Sequence, residues 1–177
     1  MTSCRFDNWD TLSEEIVNKQ ITIEYWASLQ YHMMWSYFDR SDVGLKNIAE
    51  FFKKSSEEER EHAHKLMEYQ NLRGGTVKIG KLEDYHNDYL KVQDHSDVLS
   101  SFIKALDMEQ HVYKSLLEVH RVGQKVDDPQ FTDFIEGEFL EEQVNAINEI
   151  SKYISQLKRI GNDGHGIWNF DQEFKNN

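Results

Sequence analysis

Four stretches of nearly thirty residues carry apolar side chains at alternating steps of three and four, the period of a helix with one buried face. They run from about Thr11 to Arg40, Leu45 to Arg73, Asp94 to Arg121 and Asp128 to Ile160. At 1.5 Å per residue each is roughly 40–45 Å long, and matched lengths of this kind pack as a four-helix bundle. The breaks between them support this reading. Ser41-Asp42-Val43-Gly44 and residues 122–128 are short turns, and Gly74-Gly75 offers a left-handed helix stop. Asp128 before Pro129 reads as an N-cap with proline at the first helical position. The lone proline argues against an all-β fold, which needs many turns.

The connections predict the topology. Residues 74–93 lack helical period and are too many for a hairpin turn. Extended, twenty residues reach roughly 65 Å, enough to run the length of a bundle. The expected fold is all-α, a single domain over 1–177, with a four-helix bundle over about 11–160 and one long crossover. A short fifth helix follows at about 163–174. Lys and Arg number 20 against 32 Asp and Glu, a net charge of −12. Such a charge repels phosphate, so neither nucleic acid nor an anionic membrane is an expected partner, while cations are. No apolar run approaches a membrane span. The only cysteine is Cys4, so no disulfide framework or cysteine zinc site is expected. The N-terminus shows no signal-like apolar core, and the expected compartment is the cytosol.

Polar residues interrupt the core stripes. On the first helix the stripe reads Gln20, Glu24, Ala27, Tyr31, Met34, Phe38. On the second it reads Leu45, Ile48, Phe52, Ser55, Glu59, His62, Leu66. The third reads Val98, Phe102, Ala105, Glu109, Val112, Leu116, Val119, and the fourth Leu140, Gln143, Ile147, Ile150, Ile154, Leu157. Glu24, Glu59, Glu109 and Gln143 all fall near mid-helix, hence in one layer of an antiparallel bundle, with His62 one turn on. Three unpaired carboxylates in one core layer are tolerable only if protonated or if a cation neutralises them. No Lys or Arg lies on these stripes to supply the charge, which makes a metal the simplest answer. Oxygen ligands with one imidazole suit iron, manganese or zinc more than copper. Glu59-x-x-His62 puts two ligands on one helix face, the spacing used in di-iron carboxylate bundles. It occurs once here, because Ala146 stands where a second His would follow Gln143. One metal position, through Glu24, Glu59 and His62, is therefore well ligated. A second, through Glu59 and Glu109, is thin.

Several stretches resemble the eukaryotic ferritins, and closely their catalytic heavy-chain type. They are Asn18-Lys-Gln-Ile, Glu24-Tyr-Trp-Ala-Ser, Tyr37-Phe-Asp-Arg-Ser-Asp-Val-Gly-Leu-Lys-Asn, Glu58-Glu-Arg-Glu-His-Ala-His-Lys-Leu-Met, Gln70-Asn-Leu-Arg-Gly-Gly, Ser115-Leu-Leu-Glu-Val-His, Asp128-Pro, Asp133-Phe-Ile-Glu and Glu142-Gln-Val. The resemblance covers residues 10–160 and implies a ferroxidase centre. The first iron would take Glu24, His62 and Glu59, which bridges to the second; the second would take Glu59 and Glu109. Gln143 and Tyr31 would stand beside the pair. The implied reaction is oxidation of Fe(II) by dioxygen or peroxide, with the Fe(III) mineralised inside a cage of 24 subunits, all alike or mixed with other ferritin subunits. By the same resemblance, Asp133 and Glu136 line three-fold channels through which Fe(II) enters. The resemblance also implies that Glu57, Glu58 and Glu61 would face the cavity and nucleate mineral. Thr132 departs from the family where vertebrate heavy chains often carry cysteine, and the C-terminal segment matches the family's fifth helix only loosely. The alternative function is a soluble di-iron oxidase or oxygenase that retains its metals.

Overall fold

A computed structural model describes residues 4–82, 90 and 95–174. It contains α1 (Thr11–Phe38), α2 (Lys46–Leu72), α3 (Asp97–Lys125), α4 (Pro129–Ile135), a π-helical turn (Glu136–Leu140), α5 (Glu141–Ile160) and α6 (Gly164–Glu173). Helix starts follow local chemistry. Asp10 accepts from the Ser13 N–H at 2.8 Å, Ser96 from Leu99 at 3.1 Å and Asp128 from Phe131 at 3.0 Å, each satisfying an orphan donor of the first turn. At the end of α2, Gly74 takes φ +78°, and a Cβ there would lie 2.4 Å from the Arg5 backbone. Only glycine fits.

Contacts between helices give the directions. Ser28 of α1 donates to the Ser56 carbonyl of α2, and Gln70 to the Glu14 carbonyl, so α1 and α2 are antiparallel. Tyr31 meets Glu109 and Tyr37 meets Asp97, so α3 also opposes α1. Tyr153 of α5 lies against both Phe51 of α2 and Phe102 of α3, while Lys65 pairs with Glu138. It follows that α2 and α3 run parallel, and the chain between them must travel the length of the bundle. The described start of this crossover lies along α1. Asn18 Nδ2 donates to the Thr76 carbonyl, Lys78 N–H donates to Asn18 Oδ1, and Gly80 N–H donates to Thr22 Oγ1, all at 2.8–2.9 Å. The rest of the expected crossover, apart from Leu90, lies outside the described residues. No helix among the described residues is long and apolar enough to cross a membrane.

The apolar core comes in two clusters. One is built around Met34, Phe38, Phe52, Phe102, Ile154 and Leu157; the other around Val17, Ile21, Leu66, Val112, Leu116 and Phe131. The polar layer expected at mid-helix lies between them.

Two expectations need correction. First, α3 does not stop at Arg121, before the expected turn at 122–128, but continues through Gly123 to Lys125. Gly123 is buried, and a Cβ there would lie 2.9 Å from Thr132 and 3.2 Å from Phe131, so it serves close packing rather than helix termination. Second, the fourth segment is not one helix, and its core face differs from the expected stripe. Leu140 and Ile147 are only partly buried, while Phe131, Ile135 and Phe139 fill the core. The inward positions 131, 135, 139 and 143 advance by fours, which overshoots an α-helical face. The wide turn at 136–140 absorbs one extra residue and restores the phase.

α6 docks through an acid. The first residue of α2 is preceded by Leu45, which supplies no side-chain cap. Asp171 of α6 supplies it instead, accepting from Asn47 N–H at 3.0 Å, Ile48 N–H at 2.9 Å and Asn47 Nδ2 at 2.9 Å. Phe170 and Phe174 seat the same helix against Phe102 and Tyr153. Asp171→Ala should leave all three donors, among them the buried Ile48 N–H, without this acceptor and destabilise the fold by about 1–3 kcal/mol. A lowered melting temperature checks this, whereas an unchanged one would mean α6 is held by its aromatic contacts alone.

Candidate metal centre

The layer between the two apolar clusters gathers side chains from four helices. Glu24 comes from α1, Glu59 and His62 from α2, Glu109 from α3 and Gln143 from α5, and all five are buried. A ligand atom from each of Glu24, Glu59 and His62 lies within 4.8 Å of the other two. Two metal–ligand bonds of about 2.1 Å span roughly 4.2 Å, so a small side-chain shift closes this trio on one ion. His62 Nδ1 stands 3.5 Å from Glu59 Oε2. Glu24 Oε2 and Glu59 Oε2 are buried and have no hydrogen-bond partner among the described residues. Two orphaned carboxylate oxygens beside an imidazole form a donor set that fits an iron ion.

Glu109 stands outside the trio. Its Oε1 accepts from the Tyr31 hydroxyl and its Oε2 from Gln143 Nε2, which also donates to the Glu109 carbonyl at 3.1 Å. Both oxygens are thus occupied. The structure brings Tyr31, Glu109 and Gln143 together as a hydrogen-bonded set and Glu24, Glu59 and His62 as a ligand set. A cavity of about 70 Å³ touches Glu59, His62, Glu109 and Gln143.

Burial dominates the electrostatics. It pushes the Glu24 carboxyl well above the usual range, and the neighbouring Glu59 charge adds to it. Glu59 is raised well above that range by burial and then by Glu109. Glu109 is raised by burial against the opposing effect of its Tyr31 and Gln143 hydrogen bonds. The Tyr31 hydroxyl is held protonated by burial and by the Glu109 charge.

The remaining expected residues lie on the surface. Asp133 on α4 and Glu136 at the wide turn are exposed, and Glu136 Oε1 lies 2.6 Å from His120 Nε2. Glu57, Glu58 and Glu61 are exposed on α2. They border a depression of about 260 Å³ together with His62 and Glu142. Glu58, His62 and Glu142 also line the small inner cavity, so the depression adjoins the cavity at Glu59 and His62. Sequence reasoning missed three residues. Glu142 Oε2 is 3.2 Å from His62 Nε2, Phe139 packs edge-on to the His62 ring at 5.6 Å, and Gln20 Nε2 donates to Glu24 Oε1 at 2.8 Å. Gln20 had a signal, being one turn from Glu24 on the same stripe. The π-turn hid the other two.

A bundle of four long helices with a long crossover, enclosing carboxylates and a Glu-x-x-His imidazole at its middle, defines a metal-carboxylate helical-bundle protein. The profile of the family described as a ferritin-like domain matches residues 14–160. The chain belongs to the ferritin family. It is 49% identical over 165 residues to a protein named "Ferritin, chloroplastic" from Malus baccata var. xiaojinensis, covering 93% of this chain and 65% of that protein. It is 50% identical over 162 residues to "Ferritin-2, chloroplastic" from Zea mays, covering 90% of this chain and 63% of that protein. The chain therefore spans less than two thirds of the length of either relative. The crystal structure of ferritin from the multicellular green alga Ulva pertusa superposes with a TM-score of 0.92 at 38% identity, covering 98% of this chain and 88% of that one. The relatives' names overturn the expectation of a cytosolic protein, which rested on the lack of an apolar signal segment. They are chloroplastic by name.

The raised carboxyls carry a sign. Without metal, each holds its proton to higher pH in the folded chain than in the unfolded one. Folded protein then binds more protons, so this contribution to stability is lost as pH rises through the raised values. The melting temperature of metal-free protein should fall as pH rises above the ordinary carboxylate range. Glu59→Gln should flatten that fall and raise the metal-free value at neutral pH by about 3 °C or more. An identical pH profile in the variant would contradict the assignment of buried charge.

Proposed function

We propose that this chain is a catalytically active subunit of an iron-storage cage, oxidising Fe(II) as substrate. The observation that carries the reading is the trio of Glu24, Glu59 and His62 with its two free carboxylate oxygens inside an otherwise apolar bundle. The complete set of Glu24, Tyr31, Glu59, His62, Glu109 and Gln143 supports an active subunit rather than a structural one.

The chemistry assigned to these residues is as follows. Glu24, Glu59 and His62 hold the first Fe(II) and neutralise its charge. Glu59 and Glu109 receive the second, with Glu109 exchanging one of its hydrogen bonds for the ion. Each Fe(II) gives up one electron. Two together reduce dioxygen to hydrogen peroxide, with two protons taken up, or reduce peroxide to water. Gln143 and Tyr31 orient Glu109, and the protonated Tyr31 hydroxyl donates to it. Two anionic ligands bind Fe(III) more strongly than Fe(II), so the site favours oxidation. The open second position suits release. Glu58 and Glu142 lie on the outward route from the trio, with Glu57 and Glu61 beyond them. We assign this route to oxidised iron moving to mineral. A di-iron enzyme that retains its metals is disfavoured because one Glu-x-x-His and a hydrogen-bonded Glu109 give a weak second site.

We further infer an assembly of 24 copies, either of this chain alone or mixed with other ferritin subunits. Exposed Leu29, Met33, Ile79 and Trp168 supply apolar surface for association. The exposed Asp133 and Glu136 are assigned to channels where copies meet, focusing Fe(II) inward. The chloroplastic relatives support a plastid location.

Glu59→Ala should slow initial Fe(II) oxidation at least about 100-fold, because both positions lose a ligand; unchanged stopped-flow rates would refute the assignment. Asp133→Asn combined with Glu136→Gln should slow iron uptake by the assembled protein while a single turnover on preloaded iron stays at the wild-type rate. Uptake at the wild-type rate would mean iron enters elsewhere.

A further inference from the structure

Gln20 is a side chain the fold does not need. It is fully buried on α1 beside Val17 and Ile21 of the second apolar cluster, one turn before Glu24 on the same helix face. An amide in such a place is costly unless its groups are paired. Only one is. Gln20 Nε2 donates to Glu24 Oε1 at 2.8 Å, while its own Oε1 has no partner among the described residues. A methionine of similar volume would fill the space with no unpaired carbonyl. The amide is therefore committed to Glu24.

Its orientation has a consequence for the metal trio. An amide that donates to one carboxylate oxygen leaves the other available, and Glu24 Oε2 is the oxygen without a partner. Turned over, the amide would set its carbonyl against the carboxylate, an arrangement that repels the ionised acid. The observed orientation is the one that engages Oε1 and leaves Oε2 open to a cation.

We propose that Gln20 is a positioning residue of the iron site, holding Glu24 by Oε1 so that Oε2 is presented to the metal. This rests on the assignment of Glu24, Glu59 and His62 as iron ligands.

The test is anaerobic titration of the assembled protein with Co(II), read by its visible ligand-field absorption, alongside the metal-free melting temperature. In Gln20→Met the metal-free melting temperature should be unchanged or higher, since an unpaired carbonyl is removed from the core. The tight phase of Co(II) binding should weaken by roughly 10–100-fold. Gln20→Asn keeps an amide but falls one methylene short of Glu24; the same weakening is expected of it, which keeps the comparison available if the Met variant fails to assemble. Wild-type affinity in either folded variant overturns the proposal. So does weakening matched by an equal loss of metal-free stability in both, which would make Gln20 structural. A wild-type protein with no tight Co(II) phase would defeat the iron-site assignment itself. A tight phase that survives both substitutions defeats only the role given to Gln20.

Discussion

Three carboxylates share one buried layer, and the rest of the molecule is arranged around that repulsion. Placing an unpaired carboxylate out of water costs several kcal/mol even after the protein relaxes. Here the cost is met in two different ways. Glu109 is satisfied by neutral donors, Tyr31 and Gln143. Glu24 and Glu59 lie against each other, each with an oxygen that meets no N–H or O–H donor of another residue type among the described residues. A divalent cation resolves the second case by supplying the charge that no lysine or arginine brings. The polar layer also divides the hydrophobic core into two clusters, so the bundle behaves as two apolar halves joined through a polar waist.

Helix direction makes that waist possible. With α2 and α3 parallel, each neighbouring pair around the bundle is antiparallel, and the midpoints of all four long helices come to one height. The crossover that this arrangement demands is tied to α1 by Asn18 and Thr22, close to Gln20 and Glu24 in the chain. At the other end, Asp171 closes the uncapped start of α2, the helix that carries both Glu59 and His62. The π-turn sets the phase of α5, placing Gln143 on Glu109 and Phe139 on His62. Parts of the molecule remote in sequence thus converge on the orientation of a few ligands.

Much of this was readable from the chain itself, for a physical reason. Helical period survives in a sequence when one face is buried along its whole length, and the inward stripes of α1 and α3 do this without interruption. Every member of those two stripes is buried. Those stripes exposed Glu24 and Glu109 as intruders, and the α2 stripe exposed Glu59, because an acid among apolar neighbours is conspicuous. The fourth segment was harder. One extra residue in the wide turn breaks the period, so Leu140 took the place of Phe139 in the expected core. Hydrogen-bond allegiance was not readable either. Periodicity put Glu109 in the metal layer but could not show that both its oxygens are held by Tyr31 and Gln143. Asp171 escaped notice because a cap supplied from a distant helix leaves no local spacing to detect. The cytosolic expectation failed because it rested on the absence of a feature.

The central claim is that the buried acids are tolerated because iron sits among them. Crystals soaked anaerobically in ferrous salt, with anomalous data collected at the iron absorption edge, test it most directly. The account predicts an anomalous peak within bonding distance of Glu24, Glu59 and His62, with the three side chains turned inward as they are here. Diffraction that shows the side chains inward but no peak between them, or that shows them swung out to solvent, would contradict it.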